Sequence, residues 1–189
     1  MKRRTAKHSD RVMRFFTPEL FVRFNSADDD VADRADAEWE RAVAGYKKHL
    51  TKIWPALPEA VRKLARLRLH DAEVINRHDG GELPRSPEPF PVLLPFIRLR
   101  EAEHEIVLIY WLSGQPRTVP PPSEWPFSTQ RPHWLYDEVD VGSEKGKGFT
   151  HRVLISDGTA FEIPFTSVAI HRAPPSNASA KNHARRASA

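Results

Sequence analysis

Apolar residues recur at steps of three and four along residues 31–53, the spacing that places side chains on one face of an α-helix. The positions on this face are Val31, Ala35, Trp39, Ala42, Val43, Tyr46, Leu50 and Ile53. Acidic residues crowd the first turns and lysines the last turns, as the helix dipole favours. The pattern therefore predicts a helix of about six turns that ends at Trp54-Pro55.

Shorter helices are predicted on either side of this long one. In the segment that opens at Met13, Thr17 is a typical helix cap and Pro18 a typical first helical residue. Residues 57–69 repeat the helical spacing with leucine and valine on the inward side, and the predicted helix reaches Leu69. The N-terminal third is thus expected to be helical.

From Asp71 onward the apolar pattern changes towards alternation, which is typical of β-strands. The predicted strands after this junction are residues 92–100, 105–112, 134–141, 149–155, 159–165 and 167–172. The run at 105–112 is apolar on both sides and therefore indicates a central strand. We expect an α+β fold, with an N-terminal helical region packed on one face of an antiparallel sheet of about five or six strands.

The register of one hairpin can be predicted from its turn. If residues 156–158 form a three-residue loop with the glycine left-handed, Val153 faces Phe161 on the apolar side. Arg152 then lies opposite Glu162 on the other side, as a pair of opposite charges. A two-residue loop would place Val153 beside Glu162, so the three-residue loop is favoured.

The positive charge of the chain is concentrated at its two ends. Residues 1–12 carry +4 and residues 174–189 carry +3, whereas the whole chain carries +4, so residues 13–173 sum to −3. A basic patch on the folded body, which a nucleic-acid-binding fold requires, has little support. We predict a single domain at 13–173 between a disordered basic extension at 1–12 and a disordered basic tail at 174–189.

Composition excludes several kinds of site. Without cysteine, the chain has neither disulfides nor thiolate metal sites, which suits a reducing compartment. The longest apolar run, at 106–112, is too short to span a bilayer. The eight glycines form no phosphate-binding loop. We expect a cytoplasmic protein without a cofactor or a bound metal.

The stretch RLRLHDAEVINRHDGG at 66–81 is the first candidate for chemistry. His70 and His78 are too far apart along a strand or a helix to share one metal ion. In a strand, Asp71 and Glu73 would share a face and form an acid/base pair. The competing interpretation is structural, with His70 in the last turn of a helix and Asp71 bonded to local backbone amides.

Acidic residues at 137–140 are the second candidate. If Val139 points inward, alternation places Asp137 towards the core as well, where it needs a partner among His70, His151 and Arg98. A hydrogen-bonded core histidine is the preferred interpretation of His151. Asp137 and Glu138 otherwise belong to an acidic solvent face or complete an acid/base site.

A proline-rich loop at 115–132 is the third candidate, because long irregular loops are often functional. Its TVPPP motif is typical of polyproline II ligands. Trp125 and Phe127 either pin the loop to the body or contact a partner, and pinning is favoured. Trp125, Phe127 and the strand residue Tyr136 are the candidate binding residues.

Four stretches carry a resemblance to other proteins: residues 13–24, residues 28–50, the LHDAEV junction at 69–74 and residues 136–165. Together they resemble a group of small uncharacterised bacterial proteins, over most of 13–172. That resemblance implies a bacterial origin and carries no activity. A helix that leads into an HDA-V strand and a meander is also similar to some immunity proteins of bacterial toxin systems, which implies a protein partner.

These observations lead to three hypotheses of function. The leading one is a non-enzymatic binding or interaction module with a protein partner, of an immunity-like kind. The second is a small metal-dependent or acid/base hydrolase that uses His70, Asp71 and Glu73 together with Asp137 or Glu138. The third is weak nucleic-acid association through the basic tails.

Overall fold

The computed structural model describes residues 12–78, 96–101, 104–127, 131–142 and 148–174. The described residues form three α-helices and seven β-strands, in which the helices all precede the strands, and this confirms the predicted α+β class. The helices are α1 (Pro18–Phe24), α2 (Asp29–Ile53) and α3 (Glu59–Leu64), with a 3₁₀ turn (Trp54–Ala56) between α2 and α3. The strands are β1 (Glu73–His78), β2 (Phe96–Glu101), β3 (His104–Leu112), β4 (Arg117–Val119), β5 (Trp134–Val141), β6 (Phe149–Ile155) and β7 (Ala160–Ala173).

The first two helices begin where the sequence predicts. The hydroxyl of Thr17 accepts a hydrogen bond from the amide of Leu20, and the carboxylate of Asp28 accepts one from the amide of Val31. The long helix ends at Ile53, immediately before Trp54-Pro55. Almost all of the predicted basic extension lies outside the described residues, but Val12 is buried. The folded body therefore includes Val12, one residue before the predicted boundary.

The strands form one antiparallel sheet in the order β1-β2-β3-β7-β6-β5, and β4 pairs with the first residues of β7. Strand β3 is central, as predicted, between β2 and β7. The two predicted strands at 159–165 and 167–172 are one continuous strand, β7. Its first half pairs with β6 and its second half with β3, and the register shifts opposite the Trp111–Leu112 step.

The sheet is curled, so that its two outermost strands, β1 and β5, approach each other at one corner. There the amide of Asp71 donates to the carbonyl of Trp134 (2.8 Å), and the amide of Trp134 donates to the carbonyl of Ala72 (2.9 Å). A third bond joins the amide of Val74 to the carbonyl of Pro132 (2.8 Å). We call these contacts the sheet closure. The LHDAEV junction therefore has a structural role, because its backbone connects the β1 edge of the sheet to the β5 edge.

Two apolar cores lie on opposite faces of the sheet. Val153 and Ile155 of β6 belong to the first core, inside the curl, together with α3. Leu154 points the other way and belongs to the second core, with the N-terminal segment, α1 and the first half of α2. The helices therefore cover both faces, whereas the sequence pattern led us to expect one. The uninterrupted apolar run at residues 153–155 is the local reason.

Candidate binding surface

Seven aromatic side chains meet where α1, α2, β5 and residues 125–127 come together. They are Phe16, Phe21, Phe24, Trp39, Trp125, Phe127 and Tyr136, and we call them the aromatic surface. Phe21 contacts all three predicted binding residues. Its ring centroid lies 5.3 Å from that of Trp125, 5.8 Å from Phe127 and 6.1 Å from Tyr136. The structure thus gathers Trp125, Phe127 and Tyr136 into one place.

Each part of this surface is held by a rigid element. Phe21 and Phe24 are three residues apart and so lie on one side of α1. Tyr136 lies on the helix-facing side of β5, with its ring 4.6 Å from that of Trp39 on α2. The indole N–H of Trp125 donates to the carbonyl of Ser156 (3.0 Å), which pins the loop to the hairpin.

The outer rings of the surface reach solvent. Phe24 is 38% exposed and Phe127 is 41% exposed, although both rings pack against other members. Tyr136 is half-buried. Val43, one helical turn after Trp39, extends the apolar area along α2.

Carboxylates border the aromatic surface. The side chain of Asp71 is 78% exposed and lies near Tyr136, whose pKa is raised by burial and, to a smaller extent, by this negative charge. Asp36 lies one helical turn before Trp39, and Glu124 directly precedes Trp125; both are exposed. Three exposed carboxylates therefore lie along this border, and the one cation of α1, Arg23, is bonded to Glu38.

His70 lies at the edge of this surface and outside any helix. Because α3 ends at Leu64, the interpretation of His70 as a last-turn residue was wrong. Its Nδ1–H donates to the carbonyl of Leu135 (2.7 Å), and its ring lies 5.2 Å from that of Tyr136. Asp71 has a left-handed backbone (φ 67°), and its carboxylate points into solvent 3.6 Å from Nε2 of His70. The predicted bonding of Asp71 to local amides is not seen among the described residues.

The candidate acid/base residues do not converge on one cleft. The carboxylate of Glu73 bonds to Arg100 (2.9 Å) and lies 3.8 Å from Arg131. Asp137 points into the first core, whereas Glu138 points into the second. His70 and Asp71 are close together, but Glu73, Asp137 and Glu138 each have partners elsewhere.

Asp137 belongs to a buried hydrogen-bonded chain. Its carboxylate bonds to Nε2 of His151 (3.2 Å) and accepts from the indole N–H of Trp134 (3.1 Å). Since a carboxylate only accepts, Nε2 donates to Asp137, and Nδ1 is hydrogen-bonded to the Tyr110 hydroxyl at 2.8 Å. Burial raises the pKa of Tyr110 well above its ordinary value. His151 is the hydrogen-bonded core histidine that the sequence predicted, and neither it nor Tyr110 is exposed to solvent.

Glu138 has a role that sequence reasoning missed. Its buried carboxylate accepts hydrogen bonds from the amides of Arg14 (3.0 Å), Phe15 (2.6 Å) and Phe16 (2.8 Å). These three bonds hold the N-terminal segment on β5 and thereby position Phe16 in the aromatic surface. Burial raises the pKa of Glu138 above its ordinary value, although the amides act in the opposite direction.

Sequence reasoning also missed a network of ion pairs beside Glu138, with the exception of one pair. Asp140 contacts His49 of α2 (2.9 Å), Arg152 (3.2 Å) and Arg14 (3.6 Å). Arg152 also bonds to Glu162 (3.2 Å), which is the pair that the register predicted. The acidic residues of β5 and Arg152 of β6 were visible in the sequence, but the contribution of α2 was not.

Comparison with known proteins places the chain in no family. A scan against protein-family models finds no match, and a search of curated proteins finds no similar sequence. Within the described residues, no group of three or more histidine, aspartate or glutamate side chains is arranged to hold a metal ion. No helix in the same part of the chain is long and apolar enough to cross a membrane. The fold and the site define an α+β protein with a partly exposed aromatic surface bordered by carboxylates.

Proposed function

We propose that this protein is a non-enzymatic binding module and that the aromatic surface is its protein-binding site. The observation that carries the proposal is the meeting of Trp125, Phe127 and Tyr136 around Phe21, with Phe24 and Phe127 open to solvent. Adjacent exposed aromatic side chains on a soluble fold mark interaction sites more often than chance.

Aromatic side chains suit such a site because they bury a large apolar area with few rotatable bonds. Tryptophan and tyrosine are over-represented among the residues that contribute most to binding energy at protein interfaces. Here Trp39, Trp125 and Tyr136 form the inner part of the surface, and the more exposed Phe24 and Phe127 lie further out. This arrangement supports a central contact region with an outer ring that excludes water.

The rigidity of the surface also supports a binding role. Trp125 is fixed by its bond to Ser156, and Phe16 is fixed by the bonds that Glu138 accepts. A surface that is already ordered before binding loses less conformational entropy when the partner docks. The aromatic surface is therefore preorganised for binding.

The alternative hydrolase receives less support from the geometry. An acid/base mechanism needs its groups within hydrogen-bonding reach of one substrate. Glu73 is engaged by arginines, Asp137 by His151, and Glu138 by backbone amides. The remaining pair, His70 and Asp71, borders the aromatic surface and is available for contacts with a partner.

The proposal is tested by affinity capture from an extract of the native host with three forms of the protein. They are the wild type, a Phe24→Ala/Phe127→Ala double variant and a Trp111→Ala control. Trp111 is 42% exposed, close to the value for Phe127, but it lies on β3 outside the aromatic surface. All three forms should first show the same circular dichroism spectrum.

We expect one protein to be retained by the wild type and by Trp111→Ala and to be lost with the double variant. A partner that buries both exposed rings gains apolar contact area, and loss of the two rings should cost about 2 kcal/mol or more, roughly thirtyfold in affinity. Equal retention by the double variant would place the binding site elsewhere and refute the proposal.

Two further hypotheses stay predictions. An immunity-like role would be one form of the proposed binding, in which the partner is a toxin. Nucleic-acid association through the basic ends concerns residues 1–12 and 174–189. Of these, the structure describes only Val12 and Pro174.

A further inference from the structure

We infer that the partner meets the aromatic surface with a segment that carries arginine or lysine side chains, an inference that rests on the proposed function. The segment would place its cations against the exposed rings and the neighbouring carboxylates, and its apolar side chains against Phe24 and Phe127. The proposal therefore names the chemistry of the partner and leaves its identity to the capture experiment.

The first argument is the sign of the charge around the rings. Residues 28–40 of the chain contain seven acidic side chains and one arginine, Arg34. They form the part of α2 that includes Trp39 and its neighbour Asp36. The nearest cation on α1, Arg23, is already bonded to Glu38 (2.7 Å). A partner therefore meets a negative field on the α2 side of the surface.

The second argument is the position of Asp71 beside Tyr136. Its carboxylate is one of the most open charges near the surface, and its only ion-pair contact among the described residues is His70, at 3.6 Å. A guanidinium group beside Asp71 would at the same time lie against the half-buried ring of Tyr136. Such a cation gains both a charge pair and a cation–π contact, which separately are weak in water.

The same observations disfavour single-stranded nucleic acid as the occupant. Aromatic platforms that stack bases are combined with a positive groove that follows the phosphates. Here the exposed carboxylates of Asp36, Asp71 and Glu124 lie next to the rings, and the guanidinium of Arg23 is bonded to Glu38. Phosphate groups would be repelled at the places where a basic peptide is attracted.

The test is a titration of the full chain, labelled with ¹⁵N, with two probe peptides. One is a short peptide of repeated arginine, leucine and serine, and the other has glutamate in place of every arginine. The indole N–H resonances of Trp39 and Trp125 report binding at the aromatic surface, and that of Trp111 serves as an internal reference. A thymidine oligonucleotide is titrated in the same way.

We expect the arginine peptide to shift the Trp39 and Trp125 resonances and the glutamate peptide to leave them in place. Binding should weaken as the salt concentration rises, because exposed charge pairs are screened. Asp71→Asn should weaken binding of the arginine peptide about two- to fivefold. Asparagine tolerates the left-handed backbone of Asp71, so this variant should fold normally.

The matched control is Glu59→Gln, which removes an exposed carboxylate from the start of α3 and changes the net charge by the same amount. If Glu59→Gln weakens binding as much as Asp71→Asn, the effect comes from overall charge and the inference is wrong. Equal binding of the two peptides, absence of binding by the arginine peptide, or displacement by the oligonucleotide would also overturn it. The capture experiment is independent, so a partner lost with the double variant would still uphold the proposed function.

Discussion

At the scale of single residues, the carboxylate of Glu138 determines where the N-terminal segment lies. It is the common acceptor for three consecutive amides, and these amides precede α1, which carries Phe21 and Phe24. The segment itself buries Met13 and Phe16 in the second core. One side chain of β5 thus links the sheet to the segment that supplies three of the seven rings of the aromatic surface.

Replacement of Glu138 by alanine should lower the free energy of unfolding by about 2–4 kcal/mol, because three amides lose their acceptor inside the protein. Urea denaturation followed by circular dichroism measures this loss. The control is Glu40→Ala on the exposed side of α2, which should change stability by less than about 0.5 kcal/mol. Similar losses in the two variants would show that the amides find water when the carboxylate is absent.

The pH dependence of stability provides a separate test of Glu138. Because the pKa of Glu138 in the folded protein is raised above 4.5, the folded state binds the proton more tightly than the unfolded state does. The stabilisation linked to this proton is complete below the unfolded-state pKa and is lost as the pH rises through the folded-state pKa. The wild type should therefore lose stability relative to Glu138→Gln over this interval. A difference that is constant with pH would contradict the raised pKa.

Some of this residue-scale detail could be predicted from the sequence and some could not. Alternation along β5 placed Asp137 inward and predicted a partner for it among His70, His151 and Arg98, and the structure shows His151 in that place. The partners of Glu138 are backbone amides up to 124 residues away, and a backbone amide has no signature in the sequence. For that reason Glu138 was known only as an acidic residue in a strand.

At the scale of elements, the hairpin of β6 and β7 was the most predictable part of the fold. Phe149 pairs with Phe165, and Val153 pairs with Phe161, as the three-residue turn required. The turn glycine, Gly158, has φ 85°. Register was predictable because a shift by one residue would pair Val153 with Glu162 and move the apolar set of one strand to the opposite face.

Gly158→Ala should destabilise the protein by about 2–4 kcal/mol, since it combines a left-handed backbone with a steric clash. A Cβ at this position would lie 2.5 Å from Pro121 and 2.6 Å from the ring of Trp125. Thermal unfolding and the Trp125 indole resonance measure the effect. Gly114→Ala is the control, because its nearest neighbour is a Pro164 side-chain atom at 3.3 Å. An unchanged Trp125 resonance in Gly158→Ala would contradict the close contact.

The third helix shows what local sequence does not determine. Residues 65–69 have good helical propensity and no proline or glycine, yet α3 ends at Leu64. After this point Leu69 and Ala72 are buried, and the amide of Asp71 bonds to Trp134. Pairing with a distant strand ends the helix, so the position of His70 could not be derived from helical spacing.

At the scale of the whole molecule, the aromatic surface depends on contacts that join distant parts of the chain. Its members come from the N-terminal segment, α1, α2, the 125–127 segment and β5. Each was recognisable as an aromatic residue in a particular element, and three were candidates for binding. Their convergence on Phe21 required the helices to cover the second face of the sheet, which the sequence pattern did not indicate.

The sheet closure should be among the last parts of the native structure to open. The amide of Trp134 bonds to the carbonyl of Ala72, and the Trp134 side chain lies in the first core. Hydrogen exchange at this amide should therefore be as slow as at Leu108 in the central strand β3. The amide of Thr118 in the short, exposed strand β4 is a comparison that should exchange faster. Exchange at Trp134 as fast as at Thr118 would show that the closure opens independently of the core.

Closure of the sheet also restricts how another protein can attach. An unpaired edge strand offers a row of free backbone donors and acceptors, to which a second chain can add as a further strand. At the corner formed by Asp71, Ala72 and Trp134, each outer strand already satisfies the backbone of the other. A partner protein that binds at this corner, next to Tyr136, finds no unpaired strand edge with which to form backbone hydrogen bonds. It must be recognised through its side chains, and its affinity will follow its sequence more closely than its ability to form a strand.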